Sequence, residues 1–126
     1  MTKIVNLTPH AVNVATTNGI MEIPASGWEL RLEAKTVPSH GIATQYGHVS
    51  ITTTKFGSPV LVEGKNGAKI EKPDLYEGDT LFIVSQIALN GLSDNPFLIN
   101  RGQFVVPAQV QRDETGKITH CLSFGL

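Results

Sequence analysis

Apolar residues along this chain fall in short runs separated by turn-forming residues. The runs are Lys3 to Leu7, Ala11 to Ala15, Ile20 to Ile23, Trp28 to Leu32, Val49 to Thr54, Val60 to Val62, Leu81 to Val84, Phe104 to Val106 and Ile118 to Leu122. Runs of this length, rich in β-branched residues and bounded by Gly, Pro, Asn and Asp, predict strands of a sandwich or barrel. Trp28, Leu30 and Leu32 alternate with Glu29, Arg31 and Glu33, which places one face of that strand in a core and the other in water. Thr17-Asn18-Gly19 carries an Asn-Gly pair that adopts positive φ at low cost, so residues 11–24 are expected to form a hairpin. Gly64-Lys65-Asn66-Gly67 and Asp113-Glu114-Thr115-Gly116 predict further turns. One segment has a different period: Val84, Ile87, Ala88 and Leu92 recur at helical spacing, and Ser93-Asp94-Asn95-Pro96 would end a helix there. The expected fold is mainly β, a single-domain antiparallel sandwich or barrel over residues 1–126 with one short helix near residues 85–92.

Bulk properties narrow the function. With 40% apolar and 17% charged residues among 126, the chain can bury a core without metal or disulfide staples. Its ten Lys and Arg are scattered and the formal net charge is −1, so no basic stripe is available for nucleic acid. No apolar run approaches the roughly 20 residues of a membrane-spanning helix. A single cysteine, Cys121, excludes an internal disulfide, and no charged segment followed by an apolar one opens the chain. The expectation is a cytoplasmic protein with no nucleic-acid and no membrane partner.

Candidate chemistry is sparse. His10, His40, His48 and His120 lack metal-ligand spacing, and in a strand His120 and Cys121 point to opposite faces, so neither a metal nor another cofactor is expected. Cys121 reads as a core thiol rather than a nucleophile. Gly64 to Lys69 lacks the order of a phosphate loop and is read as a turn. The carboxylates Asp74, Glu77, Asp79, Asp94, Asp113 and Glu114 fall in expected turns, where they cap backbone amides, and no pair is placed as acid and base.

Two segments depart from plain strand chemistry. Thr8-Pro9-His10 interrupts an apolar run, and its proline forces a bend that is either a structural corner or a presentation of Thr8 and His10 to a ligand. Asn100-Arg101-Gly102 sets a guanidinium fork before an apolar strand, suited to a phosphate or carboxylate or to pairing with Asp94.

The segments Asn6 to His10, Ile23-Pro24-Ala25-Ser26-Gly27, Gly41-Ile42, Tyr46-Gly47-His48-Val49, Ile83-Val84-Ser85, Arg101 to Pro107 and Arg112 to Ile118 follow one another in order. In this succession the chain resembles a group of small proteins of phages, prophages and some bacteria that open on Asn-Leu-Thr-Pro-His. It departs from that pattern at Gln103, where an aspartate is usual, and in an extra polar stretch from Thr52 to Lys72. The resemblance brings no enzyme activity with it and implies a phage-type accessory protein.

Three functions compete. The first is a homo-oligomer that binds a small polar, nucleotide-like ligand, sequestering a nucleotide-derived signal of host immunity. Its ligand-binding residues would be Asn6, Thr8, His10, Ser85, Gln86, Asn90, Asn100 and Arg101. The second is a structural or protein-interaction module, such as a small virion or host-docking component, that associates through apolar strand faces and has no small-molecule pocket. Phe97-Leu98-Ile99 would be one candidate patch. The third, a hydrolase with His10 as base, lacks a partnered carboxylate. The balance is against an enzyme.

Overall fold

The computed structural model describes residues 2–71, 79–93 and 104–126. In chain order these form β1 (Lys3–Asn6), β2 (Val12–Thr16), β3 (Gly19–Ile23), β4 (Trp28–Thr44), β5 (Gly47–Glu63), β6 (Lys69–Glu71), β7 (Thr80–Ile83), α1 (Gln86–Ser93), β8 (Phe104–Arg112) and β9 (Ile118–Gly125). The fold is mainly β with a short helix, as the patterning implies. Six strands make a curled sheet in the order β1-β7-β8-β9-β2-β3, and β4-β5-β6 make a second sheet. The first sheet is mixed: β7 lies parallel to both β1 and β8, β2 meets β9 in parallel at Val14 and Cys121, and the remaining pairs are antiparallel.

The turns follow from side-chain chemistry. In the β2–β3 hairpin the Thr16 hydroxyl accepts the Asn18 amide at 3.0 Å and donates to the Gly19 carbonyl at 2.8 Å, with Gly19 at φ 100°. Thr44 does the same at the β4–β5 turn, accepting from the Tyr46 amide at 3.1 Å and donating to the Gly47 carbonyl at 2.7 Å, with Gly47 at φ 116°. A hydroxyl that closes the turn on one side and a glycine with free access to positive φ on the other suffice for a two-residue loop. Asp113 closes the β8–β9 hairpin by accepting from the Thr115 hydroxyl and from the Lys117 and Thr115 amides, and these bonds, the hydroxyl first, hold its carboxyl below the usual range.

The core lies where the two sheets and the helix meet. Leu7, Leu30, Phe82, Val84, Ala88, Leu89, Leu92, Phe104 and Val106 are buried together, with Val5, Trp28, Leu32 and Leu61 packed against them. The Phe82 and Phe104 rings stack at 5.8 Å between centroids. Leu7 joins the layers through its backbone: its amide donates to the Ile83 carbonyl on β7 at 2.9 Å and its carbonyl accepts from Leu30 on β4 at 3.0 Å. Ser85 caps α1 by accepting the Ala88 amide at 3.1 Å, which satisfies a donor that the helix start leaves free. The helix buries Ala88, Leu89 and Leu92, while Ile87 is turned outward, because the apolar stripe runs through 88, 89 and 92 rather than through 84 and 87. Gly91 lets the helix approach β4 and β5 closely, since a Cβ there would stand 2.8 Å from Leu32 and 3.0 Å from Phe56.

The β4–β5 hairpin departs most from the pattern of runs. Sequence patterning assigns strands to 28–32, 49–54 and 60–62 and none to 33–44. The structure instead carries both strands through 17 residues each, and the polar stretch that begins at Thr52 continues β5 and leads into β6. Two bulges make this possible, one between Leu32 and Ala34 and one between Pro38 and His40. Pro38 sits at the second of them, on a strand that is an edge of its sheet, where a missing amide breaks no ladder.

Candidate functional site

The N-terminal motif is a knot of hydrogen bonds centred on Asn6. This side chain is 1% exposed. Its amide nitrogen donates to the His10 carbonyl at 2.9 Å and the Ile23 carbonyl at 3.2 Å, and its oxygen accepts from the Thr8 amide at 3.0 Å and the Thr8 hydroxyl at 2.6 Å. A carboxamide has two protons and two lone pairs to offer, so Asn6 is saturated within the chain. The Asn6 carbonyl also accepts from Ser26 at 3.1 Å, which ties the Asn-Leu-Thr-Pro-His segment to the Ile-Pro-Ala-Ser-Gly segment. The two motifs, 17 residues apart along the chain, are halves of one corner. Asn6 builds it, while Pro9 and the His10 ring stay exposed.

Of the other expected site residues, Ser85 and Gln86 lie at the same end of the curled sheet. β1 and β7 run parallel with Asn6 beside Ile83, so the chain leaves both strands on one side, toward Thr8 and toward Ser85. There Ser85 is committed to capping the helix, and the Gln86 side-chain Nε2 donates to the Asn90 side-chain oxygen at 2.9 Å. Asn100, Arg101 and the Phe97-Leu98-Ile99 run fall outside the described residues. Among the described residues no group of three His, Cys, Asp or Glu stands close enough to hold a metal ion. Cys121 is buried, and burial pushes its thiol up, which disfavours a thiolate nucleophile. No described helix is long and apolar enough to cross a membrane.

Two concavities formed by described residues bear on the site. A cleft of about 240 Å³ beside the corner is lined by Thr8, Pro9, Ala25, Trp28 and Glu29. A shallow groove of about 670 Å³ lies on the root of the second sheet, where Val60 and Val62 are flanked by Arg31, Glu33, Lys69 and Glu71.

In the outer half of the β4–β5 hairpin, sequence patterning finds one strand, Val49 to Thr54, and misses its partner over residues 33–44. From Glu33 to Ser58 nearly every residue is exposed, so this part extends beyond the core as a two-stranded ribbon. Residues opposite one another in an antiparallel pair share a face. Counting through the bulges from the Leu30–Leu61 pair, one face of the ribbon carries Thr36 with Thr54, Pro38 with Thr52, Gly41 with Ser50, and Ala43 with His48. The other carries Lys35 with Lys55, Val37 with Thr53, His40 with Ile51, and Ile42 with Val49. The first is small and polar. The second is an apolar strip with Ile42 44%, Val49 46% and Ile51 37% exposed, and it ends at the turn on Tyr46, 90% exposed. The signal that finds it is the repeated Thr-x-x-Gly spacing at 16–19 and 44–47, followed by the alternation of Val49, Ile51 and Thr53 with Ser50, Thr52 and Thr54.

Compared with known proteins, the chain matches no family model, no curated protein and no solved structure.

Proposed function

We propose that this protein is a structural or protein-interaction module whose working surface is the apolar face of the β4–β5 ribbon. The observation that carries the reading is the segregation of the ribbon into a polar face and an apolar face with neither covered by the described residues. An isolated two-stranded ribbon is marginal in water, and alternation of this kind is the pattern of a strand pair with one face buried. Exposed isoleucines and valines aligned on one side mark a contact surface. The single thiol fits a reducing compartment, and the resemblance to phage-type accessory proteins fits a small assembly component.

The test is photo-cross-linking in cells producing the protein, with a benzophenone side chain at Ile42 on the apolar face or at Thr52 on the polar one. Protein adducts are expected from position 42 and few from position 52. Equal yields, or none from 42, overturn the reading.

A second reading, a small polar ligand held beside the corner, is favoured by the cleft between Thr8 and Trp28. At about 240 Å³ it falls below the roughly 300–1,000 Å³ typical of drug-sized ligands, so a nucleotide would need walls from elsewhere. A thermal-shift screen with nucleotides, cyclic dinucleotides and ADP-ribose derivatives decides it. At about a hundred times its dissociation constant a true ligand adds about 2.7 kcal/mol. A shift of several degrees supports this reading, and no shift with any compound removes it.

A further inference from the structure

We infer that the occupant of the ribbon's apolar face is the same face of a second copy of this chain, the two ribbons stacked antiparallel about a two-fold axis near the His40–Ile51 pair. The inference rests on the interaction reading above and names its partner.

Charge selects the occupant and the register. Between the Lys35–Lys55 pair and the turn, the face presents Val37, His40, Ile42, Thr44, Val49, Ile51 and Thr53, with no carboxylate, Lys or Arg. A surface of this composition is its own complement, as a two-fold interface requires, because the same patch meets itself. Lys35 and Lys55 stand directly opposite one another, a repulsive arrangement, and neither has an ion-pair partner among the described residues. A stack overlapping the full 17 residues would bring all four lysines of the two copies together at its centre. Overlap of the outer halves alone avoids this.

With the axis at His40–Ile51, Val37 and Thr53 of one copy lie over Ile42 and Val49 of the other. The lysine pair stands four rungs from the axis on one side and Tyr46 about five on the other, so at roughly 3.3 Å per residue the phenol ring of each copy reaches the partner's lysines. Tyr46 thereby gains a cation–π neighbour, and the lysines gain the electron-rich face of a ring in place of each other. The two ribbons would sit about 10 Å apart, as packed sheets do.

Area sets the strength. Ten residues from Lys35 to Thr44 span roughly 33 Å, and with a ribbon about 10 Å wide the two copies together cover roughly 700 Å². This is under the roughly 1,000 Å² that a stable specific interface clears, so the pair is a weak, transient one that should dissociate on dilution.

Sedimentation of the purified chain across about 2–500 μM tests the proposal, with mass expected to climb from 13.6 kDa toward twice that value. The double variant Val49→Glu/Ile51→Glu should remain monomeric throughout, while Thr52→Glu on the polar face should dimerise as the parent does. Tyr46→Ser, which removes two such contacts per dimer, should weaken the pair by about five- to thirtyfold. Circular dichroism matching the parent shows that each variant folds. A parent that is monomeric at every concentration overturns self-pairing, while cross-links from position 42 to another protein would leave the interaction reading standing. A dimer that survives the double glutamate variant forms through another surface and also overturns the proposal.

Discussion

Asn6→Ala is expected to destabilise the protein by about 3–4 kcal/mol, seen as a loss of roughly 10–15 °C in the midpoint of thermal unfolding. Four hydrogen bonds end on this buried side chain, and deleting it removes the side-chain donors to the His10 and Ile23 carbonyls and the side-chain acceptor of the Thr8 amide, while the His10 carbonyl keeps the Thr8 hydroxyl at 2.9 Å. A single hydrogen bond contributes about 1 kcal/mol net, but an orphaned buried polar group costs about 1–3 kcal/mol, so the total is well above that of an ordinary surface asparagine. Asn6→Asp separates hydrogen bonding from cavity formation, because the shape is kept while two donors become an acceptor facing two carbonyls. The buried carboxyl of that variant would have a raised pKa in the folded state. Its stability should therefore be greatest below the unfolded value near 3.9 and fall as pH rises through the folded value. Urea unfolding of both variants across pH checks this. A loss under about 1 kcal/mol for Asn6→Ala would mean that water replaces the side chain and that the corner is not built by it.

The corner shows what patterning can and cannot read. Thr8-Pro9-His10 is visible as an interruption of an apolar run, and proline draws the eye as the cause of the bend. The residue that organises the bend is Asn6, two positions earlier at the end of β1, and its partners include Ile23, 17 residues away. Local sequence cannot reveal a bond of that span. The same limit hid the ribbon. Residues 33–44 carry no strand signal because Pro38, Ser39 and Gly41 do not suit a central strand, whereas an edge strand with a bulge can hold them. Where burial enforces alternation, as at Trp28, Leu30 and Leu32, the sequence stated both the strand and its inner face. Beyond Leu32 no core enforces it, so the remaining pattern is weak, although Thr44 and Gly47 repeat the turn chemistry of Thr16 and Gly19. Of the expected site residues, Asn6, Thr8, Ser85 and Gln86 do sit at one end of the sheet, and most of their polar atoms serve the corner or the helix start.

The ribbon depends on its root, and Leu30→Ala measures how strongly. Leu30 is 2% exposed, lies in the main core cluster and pairs with Leu61 across the hairpin, while its amide bonds to Leu7. Truncating it removes apolar contact from both sheets and leaves a cavity bounded by β-structure that cannot collapse freely. The expected loss is about 3–4 kcal/mol. Val49→Ala on the outer ribbon removes two methyl groups from a side chain already 46% exposed, and in dilute monomer it should change stability by less than about 0.5 kcal/mol. The contrast separates two sources of order along one hairpin: packing at the root, and a partner at the tip. Hydrogen exchange adds the spatial detail, since the Leu30–Leu61 rungs should be protected near the global stability and those from Val37 to Thr44 should open locally at low concentration. Raising the concentration should then slow exchange in the outer rungs of the parent but not of Val49→Glu/Ile51→Glu. If Val49→Ala in dilute monomer costs as much as Leu30→Ala, the outer ribbon is already covered within one chain and has no free face to give a second copy.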